Sequence, residues 1–263
     1  MIKLKRSAAP VELTEETVEK LTAQYKETNV AVWNKPYIKQ SILSMSHCKC
    51  AYCETKLDEE SKYMEVEHFR CKTAFPDLVV VWSNLLPSCK RCNGRKSDYN
   101  VDTEGMIIDP TLNQPQEHFY FKDSRLRWKT DLGRRTSDVL YLNDSDRLVK
   151  VRHEITCATC EAIEKIRHML ENYICEKRTT FKRNNITRSV EKLLNQGLPN
   201  TQFSALVSTV ISEDDNYIWI KENLVTLGLW NDELCALDQC IKKIALHRIP
   251  ASVSSAVGEC SVV

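Results

Sequence analysis

The apolar and polar positions of this chain fall into three zones. In the first, residues 14–28 read as an amphipathic helix: Val18, Leu21 and Tyr25 share a face, Thr14 suits an N-cap, and Glu15 and Glu16 favour a first turn. A second helix is expected after Pro36, with Ile38, Ile42, Leu43 and Met45 turned inward. Helical periodicity stops over residues 48–98, which hold a short β-like run at Tyr63 to Val66, a loop through Pro76, and Leu85-Leu86-Pro87 ahead of a basic helical stretch. Gly105 to Leu142 carries strand and turn signals, at Met106 to Pro110 and at His118 to Phe121. Beyond Asp146 the chain turns helical. Leu148, Val151, Ile155, Ala158, Ala162, Ile166, Met169 and Tyr173 form a long apolar stripe, followed by predicted helices at about 186–196, 201–211 and 214–227, the first two broken at Gly197 and Pro199. The tail 251–263 is small and polar enough to be disordered.

Composition changes this picture little, but cysteine changes it a great deal. The 263 residues are 42% hydrophobic and 28% charged, ordinary values for a globular protein. No apolar run is long enough to span a membrane, and Lys3, Lys5 and Arg6 are not followed by a secretory h-region. Twelve cysteines without such a signal point to a reducing, cytoplasmic setting in which paired cysteines bind metal. Cys50-Ala-Tyr-Cys53 and Cys89-Lys-Arg-Cys92 are two CxxC knuckles, together the four thiolates of one structural zinc, a closed set with no open position for chemistry. The formal charge is +1, so binding to nucleic acid would depend on local basic patches or on a partner.

Between and just after the knuckles lie Glu65-Val-Glu67-His68-Phe69-Arg70, Asn84, and Asn93-Gly94-Arg95-Lys96. A neutral histidine can deprotonate water near neutral pH, and Glu and Asn oxygens suit Mg2+ or Mn2+, which is what phosphodiester hydrolysis requires. This order of knuckle, acid-His, Asn and knuckle-Asn resembles the HNH motif. The resemblance implies an α+β fold: a zinc-stabilised ββα-metal (HNH) nuclease core with N-terminal helices and a C-terminal helical region. It also implies His68 as general base, Asn84 orienting it, Glu67 and Asn93 as ligands of the catalytic Mg2+ or Mn2+, and Arg95 and Lys96 on the phosphate backbone. Glu67 stands where Asp or His is commoner, Asn93 where His is commoner, and Cys71 where a proline often follows.

Met1-Ile-Lys-Leu-Lys-Arg6, Cys53-Glu54, and Ile107-Ile108-Asp109-Pro110 with Glu117-His118-Phe119 extend the likeness over roughly residues 1–145. Over that length the chain is similar to the HNH subunits (PtuB) of Septu-type anti-phage systems, including versions encoded beside retrons. That family implies an ABC/SMC-type ATPase partner (PtuA-like), a nucleic-acid substrate (phage or host DNA, or tRNA) and, in retron-linked systems, a reverse transcriptase with its RNA–DNA hybrid. The corresponding organisation is a nuclease domain at 1–145, a helical partner-docking region at 146–250 and the tail. The alternative is a non-catalytic zinc-containing nucleic-acid-binding or regulatory subunit. Two basic clusters, Lys122/Arg125/Arg127/Lys129/Arg134/Arg135 with Trp128 and Lys177/Arg178/Lys182/Arg183, are candidate contact surfaces. His153, Cys157 and Cys160 share a helix face, which on one straight helix reads as packing rather than a metal site.

Overall fold

The computed structural model describes residues 1–57 and 63–248, so the tail 251–263 lies outside the described residues. It is mostly helical, with two small antiparallel hairpins. Helix α1 (Glu15–Thr28) starts on Thr14, whose hydroxyl accepts from Thr17 N, and ends at left-handed Asn29. Helix α2 (Pro36–Met45) has its proline at the first position and buries Ile38, Ile42 and Met45. Strands β1 (Met64–His68) and β2 (Leu85–Cys89) pair in register from Met64↔Cys89 to His68↔Leu85, and α2 packs on both. Helix α3 (Lys90–Lys96) follows β2 directly and leans on both strands.

The zone from Gly105 to Leu142 departs from the strand-and-turn expectation. Met106 to Pro110 joins no sheet: Ile108 N donates to the Thr136 hydroxyl and Pro110 O accepts from Leu4 N, so side chain and N-terminal segment take the place of a partner strand. After the short helix α4 (Pro115–His118), β3 (Phe119–Lys122) and β4 (Arg125–Trp128) form the second hairpin. Residues Asp131–Val139 are then a helix, α5, capped by Thr130 and burying Thr136 and Ser137, small polar positions that carry no apolar period. It lies so close to α4 that a Cβ on Gly133 would stand 2.4 Å from the His118 carbonyl oxygen.

A π-helical turn (Ser145–Val149) leads into α6 (Lys150–Cys175), and α7 (Thr180–Asn195), α8 (Ser204–Glu213), α9 (Asp215–Thr226) and α10 (Asp232–Lys242) complete the chain. The buried seam of α6 runs through Arg152, Thr159, Ile163, Ile166, Leu170 and Tyr173, whereas Ala158 is exposed. The apolar stripe missed this rotation because two of its inward positions are polar. Helices α7, α8 and α9 all pack on α6, so its apolar face is covered. Two hydrophobic clusters result. One runs from the N-terminal segment through both hairpins to Leu148 and takes in Phe203, Ala205 and Leu206; the other joins α6 to α7–α10, with Val207 and Ile211. Helix α8 belongs to both. No helix among the described residues is long and apolar enough to cross a membrane.

Candidate functional site

The two knuckles meet where the chain folds back from α2 and where β2 passes into α3. The Sγ atoms of Cys50, Cys53, Cys89 and Cys92 all lie within 4.8 Å of one another, with Cys53 and Cys89 at 3.7 Å. Tetrahedral zinc with Zn–S bonds of about 2.3 Å sets its sulphurs about 3.8 Å apart, so the donor set and its spacing fit. Donors surround the sulphurs: Cys92 N donates to Cys89 Sγ at 3.4 Å and Arg91 Nη2 to Cys92 Sγ at 3.1 Å. Burial pushes the Cys50 thiol well above its ordinary range, while hydrogen bonds from the neighbouring cysteines hold the Cys53 and Cys89 thiols below theirs, and a cation among the four sulphurs would stabilise all of them as thiolates. Among the described residues this is the single cluster of three or more Cys, His, Asp or Glu side chains converging on one point. His153, Cys157 and Cys160 do not converge; Cys157 Sγ and His153 Nε2 are 3.7 Å apart on an exposed face.

The first knuckle also pins the fold. Glu54, just after Cys53, adopts φ 63°, a left-handed conformation that glycine usually fills. Buried ionic contacts hold it there: Oε2 is 2.7 Å from the Met1 amino group, and Oε1 accepts from Lys49 Nζ at 3.0 Å and from the Ser204 hydroxyl at 2.6 Å. Burial opposes this charge, but the Met1 amino group, Lys49 and Ser204 outweigh it and hold Glu54 far below the usual carboxylate range.

His68 ends β1 and is buried, with Trp33 edge-on at 4.6 Å between ring centroids. Nε2 lies 2.8 Å from the Val79 carbonyl oxygen, which can only accept, so Nε2 carries the proton and Nδ1 the free lone pair. Burial lowers its pKa to about 4, with Lys72 and Lys96 acting in the same direction, and the ring is neutral at pH 7.

Asn84 does not touch the imidazole. Its Oδ1 accepts from Arg70 N at 2.7 Å, and its Nδ2 donates to the carbonyls of Arg70 and Leu78 at 3.1 Å each. It closes the loop between β1 and β2 and so fixes Leu78 beside Val79, the residue that holds His68.

Strand alternation sends Glu65 and Glu67 toward α3, and helix spacing then sorts their partners. Asn93 Nδ2 donates to Glu65 Oε2 at 2.6 Å. Lys96, one turn on, is buried; its Nζ stands 2.7 Å from Glu67 Oε1 and donates to the His68 carbonyl at 2.7 Å. Asn93 therefore pairs with Glu65 and not with Glu67, and Lys96 is unavailable to a phosphate backbone. Burial raises the Glu67 pKa to about 7, against the pull of Lys96. Arg95 is exposed, its guanidinium 4.8 Å over the Tyr141 ring.

Three neighbours of the site lie outside the residue roles expected from the sequence. Glu65 was recoverable from the two-residue period of β1. Trp33 and Lys72, whose ammonium is 5.8 Å from the Trp33 ring, sit in loops with no signal.

No protein-family model matches the chain. It is 29% identical over 165 residues to the Septu protein PtuB of Bacillus mycoides (strain KBAB4), covering 47% of this chain and 56% of that protein. It is 43% identical over 234 residues to the Septu protein PtuB of Bacillus thuringiensis, covering 89% of this chain and 90% of that protein. At that identity over nearly the whole of both lengths, the chain belongs to the PtuB family of Septu proteins.

Proposed function

We propose that this chain is an HNH (ββα-metal) endonuclease, the effector of a Septu-type anti-phage system, hydrolysing phosphodiester bonds of DNA or of a structured RNA. The observation that carries the reading is His68: a neutral imidazole with one nitrogen tied to Val79 and the other unbonded among the described residues, in the same ββα unit as Glu65 and Asn93. His68 Nδ1 would take the proton of the attacking water. Glu65 and the Asn93 side-chain oxygen, both half-buried, would hold the divalent ion, with Glu67 joining them only if Lys96 releases it. Mg2+ or Mn2+ bound there would supply positive charge for the phosphate and the leaving oxygen. The four cysteines would hold one structural zinc per chain.

In this reading residues 1–145 are the nuclease unit and 146–250 the region that meets an ABC/SMC-type ATPase. With α6 covered, support for docking rests on exposed apolar side chains such as Phe181 and Val225. One observation favours a second reading, a non-catalytic nucleic-acid-binding subunit: the Glu67 carboxylate is already neutralised by Lys96.

The test is cleavage of plasmid DNA and total RNA with Mg2+ or Mn2+, by the chain alone and with a PtuA-type ATPase. His68→Gln keeps the volume and a donor for Val79, and should lower the rate about 10²–10⁴-fold. Glu65→Gln and Asn93→Ala should act through loss of the divalent ion and be partly rescued by raising its concentration. Full activity in His68→Gln would remove the base; an inert wild-type complex would favour the second reading.

A further inference from the structure

The β3–β4 hairpin carries cations that the fold does not use. Of the six basic residues in this stretch, three are engaged elsewhere: Lys129 Nζ donates to the Gln116 carbonyl, Arg134 pairs with Asp131, and Arg135 donates to the Met106 carbonyl. Lys122, Arg125 and Arg127 make no side-chain hydrogen bond, ion pair or ring contact among the described residues. The register explains where they point. Residues directly opposite on an antiparallel pair share a face, so Phe121↔Leu126 turns to the core while Tyr120↔Arg127 and Lys122↔Arg125 turn outward. The outer face thus holds one aromatic ring and three unpaired cations, with Asp123 at the turn as the hairpin's own acid. Tyr120, Lys122 and Arg127 line a shallow concavity of about 300 Å³ together with the half-exposed Trp128.

The hairpin is also fixed relative to the site. The Asn143 side chain accepts from Leu126 N at 2.9 Å and donates to Leu126 O at 2.8 Å. Two residues earlier, the Tyr141 ring lies under Arg95, and its carbonyl accepts from Arg91. A path of packed and hydrogen-bonded groups therefore joins β4 to Arg91 and Arg95 of α3, beside the second knuckle.

We propose that the outward face of this hairpin binds an unpaired segment of a nucleic-acid strand, its phosphates on Lys122, Arg125 and Arg127 and a base stacked on Tyr120, with Trp128 at the edge of the same concavity. Three unpaired cations on a nearly neutral chain match a phosphodiester backbone by charge. The Tyr120 ring among them matches a base that is not stacked in a duplex. The proposal deepens the nuclease reading and rests on it for the substrate class.

Binding is measured on the full chain in the His68→Gln background, by fluorescence anisotropy with labelled single-stranded DNA, single-stranded RNA and a blunt duplex, over a range of salt. Both single strands should bind more tightly than the duplex. The triple variant K122Q/R125Q/R127Q should weaken binding at least tenfold at low salt and flatten the slope of log K against log salt by about 2, at about 0.7 per phosphate lost. Tyr120→Leu should cost on the order of tenfold and leave the slope unchanged. Circular dichroism and zinc content identical to the parent confirm an intact fold.

Absence of binding by the parent, or an unchanged affinity and slope in the triple variant, overturns the proposal. Equal binding of the duplex with Tyr120→Leu silent overturns the unpaired strand. Loss of ATPase capture by the triple variant with oligonucleotide binding intact overturns it in favour of a protein-docking face. Hairpin-dependent binding by a chain that cleaves nothing would defeat the nuclease reading alone, and normal cleavage with hairpin-independent binding would defeat this proposal alone.

Discussion

Lys96 and Glu67 face each other with almost no exposure, the ammonium 2.7 Å from both the Glu67 carboxylate and the His68 carbonyl. Beside an asparagine and an arginine, a lysine reads as a phosphate contact; the strand's alternation and the helix's turn make it a buried counter-ion. Removing one member of such a pair leaves an uncompensated charge and costs about 3–5 kcal/mol, unless the survivor changes protonation. Glu67, already raised to about 7, can take a proton, so the smaller loss belongs to Lys96→Met and the larger to Glu67→Ala. Urea unfolding should show Lys96→Met destabilised, and Glu67→Gln/Lys96→Met regaining much of the loss. An unchanged midpoint in Lys96→Met, with weaker oligonucleotide binding, would return this lysine to the nucleic-acid surface. Residue types within the motif were legible in the sequence, as were the knuckle cysteines, whose spacing is itself the geometry. The partners of those residues were not, because they depend on how α3 sits along β1. Asn84 shows the same limit: its side chain acts on the backbone of a loop whose path no local pattern encodes.

Helix boundaries followed the apolar period closely where the inward positions are apolar, as in α1 and α2, and poorly where polar side chains point inward. Arg152 and Thr159 on α6, Thr136 on α5 and Asp238 on α10 are of that kind. Helix α10 had no sequence expectation at all, although Asn231 caps it and Leu234 and Ile241 are buried, because Asp238 interrupts its inner face. That aspartate bonds the Tyr217 hydroxyl at 2.7 Å and pairs with Lys221 at 2.7 Å and Lys242 at 3.0 Å, joining α9 to α10. Burial works against its charge, yet Lys221, Tyr217 and Lys242 together lower its pKa. A carboxylate depressed in the folded state stabilises fully above its unfolded value of about 3.9 and loses that contribution as pH falls below it. Asp238→Asn should therefore be less stable than the parent at pH 7 by about 1–3 kcal/mol, read as a lower melting temperature. The gap should narrow as pH drops below about 4. A gap independent of pH between 7 and 3 would show that shape rather than charge holds the two helices.

At the scale of the whole molecule, the candidate zinc site links the hairpin region to the helical region. Cys89 and Cys92 fix the passage from β2 into α3, and Arg91 ties that turn to the end of α5 through the Leu140 and Tyr141 carbonyls. Cys50 and Cys53 fix the turn that places Glu54, whose carboxylate accepts from Ser204 and whose backbone carbonyl accepts from Phe203 N. Phe203 and Ser204 begin α8, the helix shared by both hydrophobic clusters. A metal bound at the knuckles thus reaches, through one buried carboxylate, the element on which α6 and α10 pack. Binding energy at a closed four-thiolate site is folding energy, so its removal should be felt in helices remote from the cysteines. Purified chain should contain one zinc, and a strong chelator at neutral pH, or Cys89→Ser, should lower the melting temperature followed by far-ultraviolet circular dichroism, a signal dominated here by α6–α10. Loss of the hairpin region and of the helical signal should coincide in a single transition. Helices that melt at the parent temperature after zinc is gone would mean that the Glu54–Ser204 contact does not transmit the metal's stabilisation, and that the two clusters fold independently.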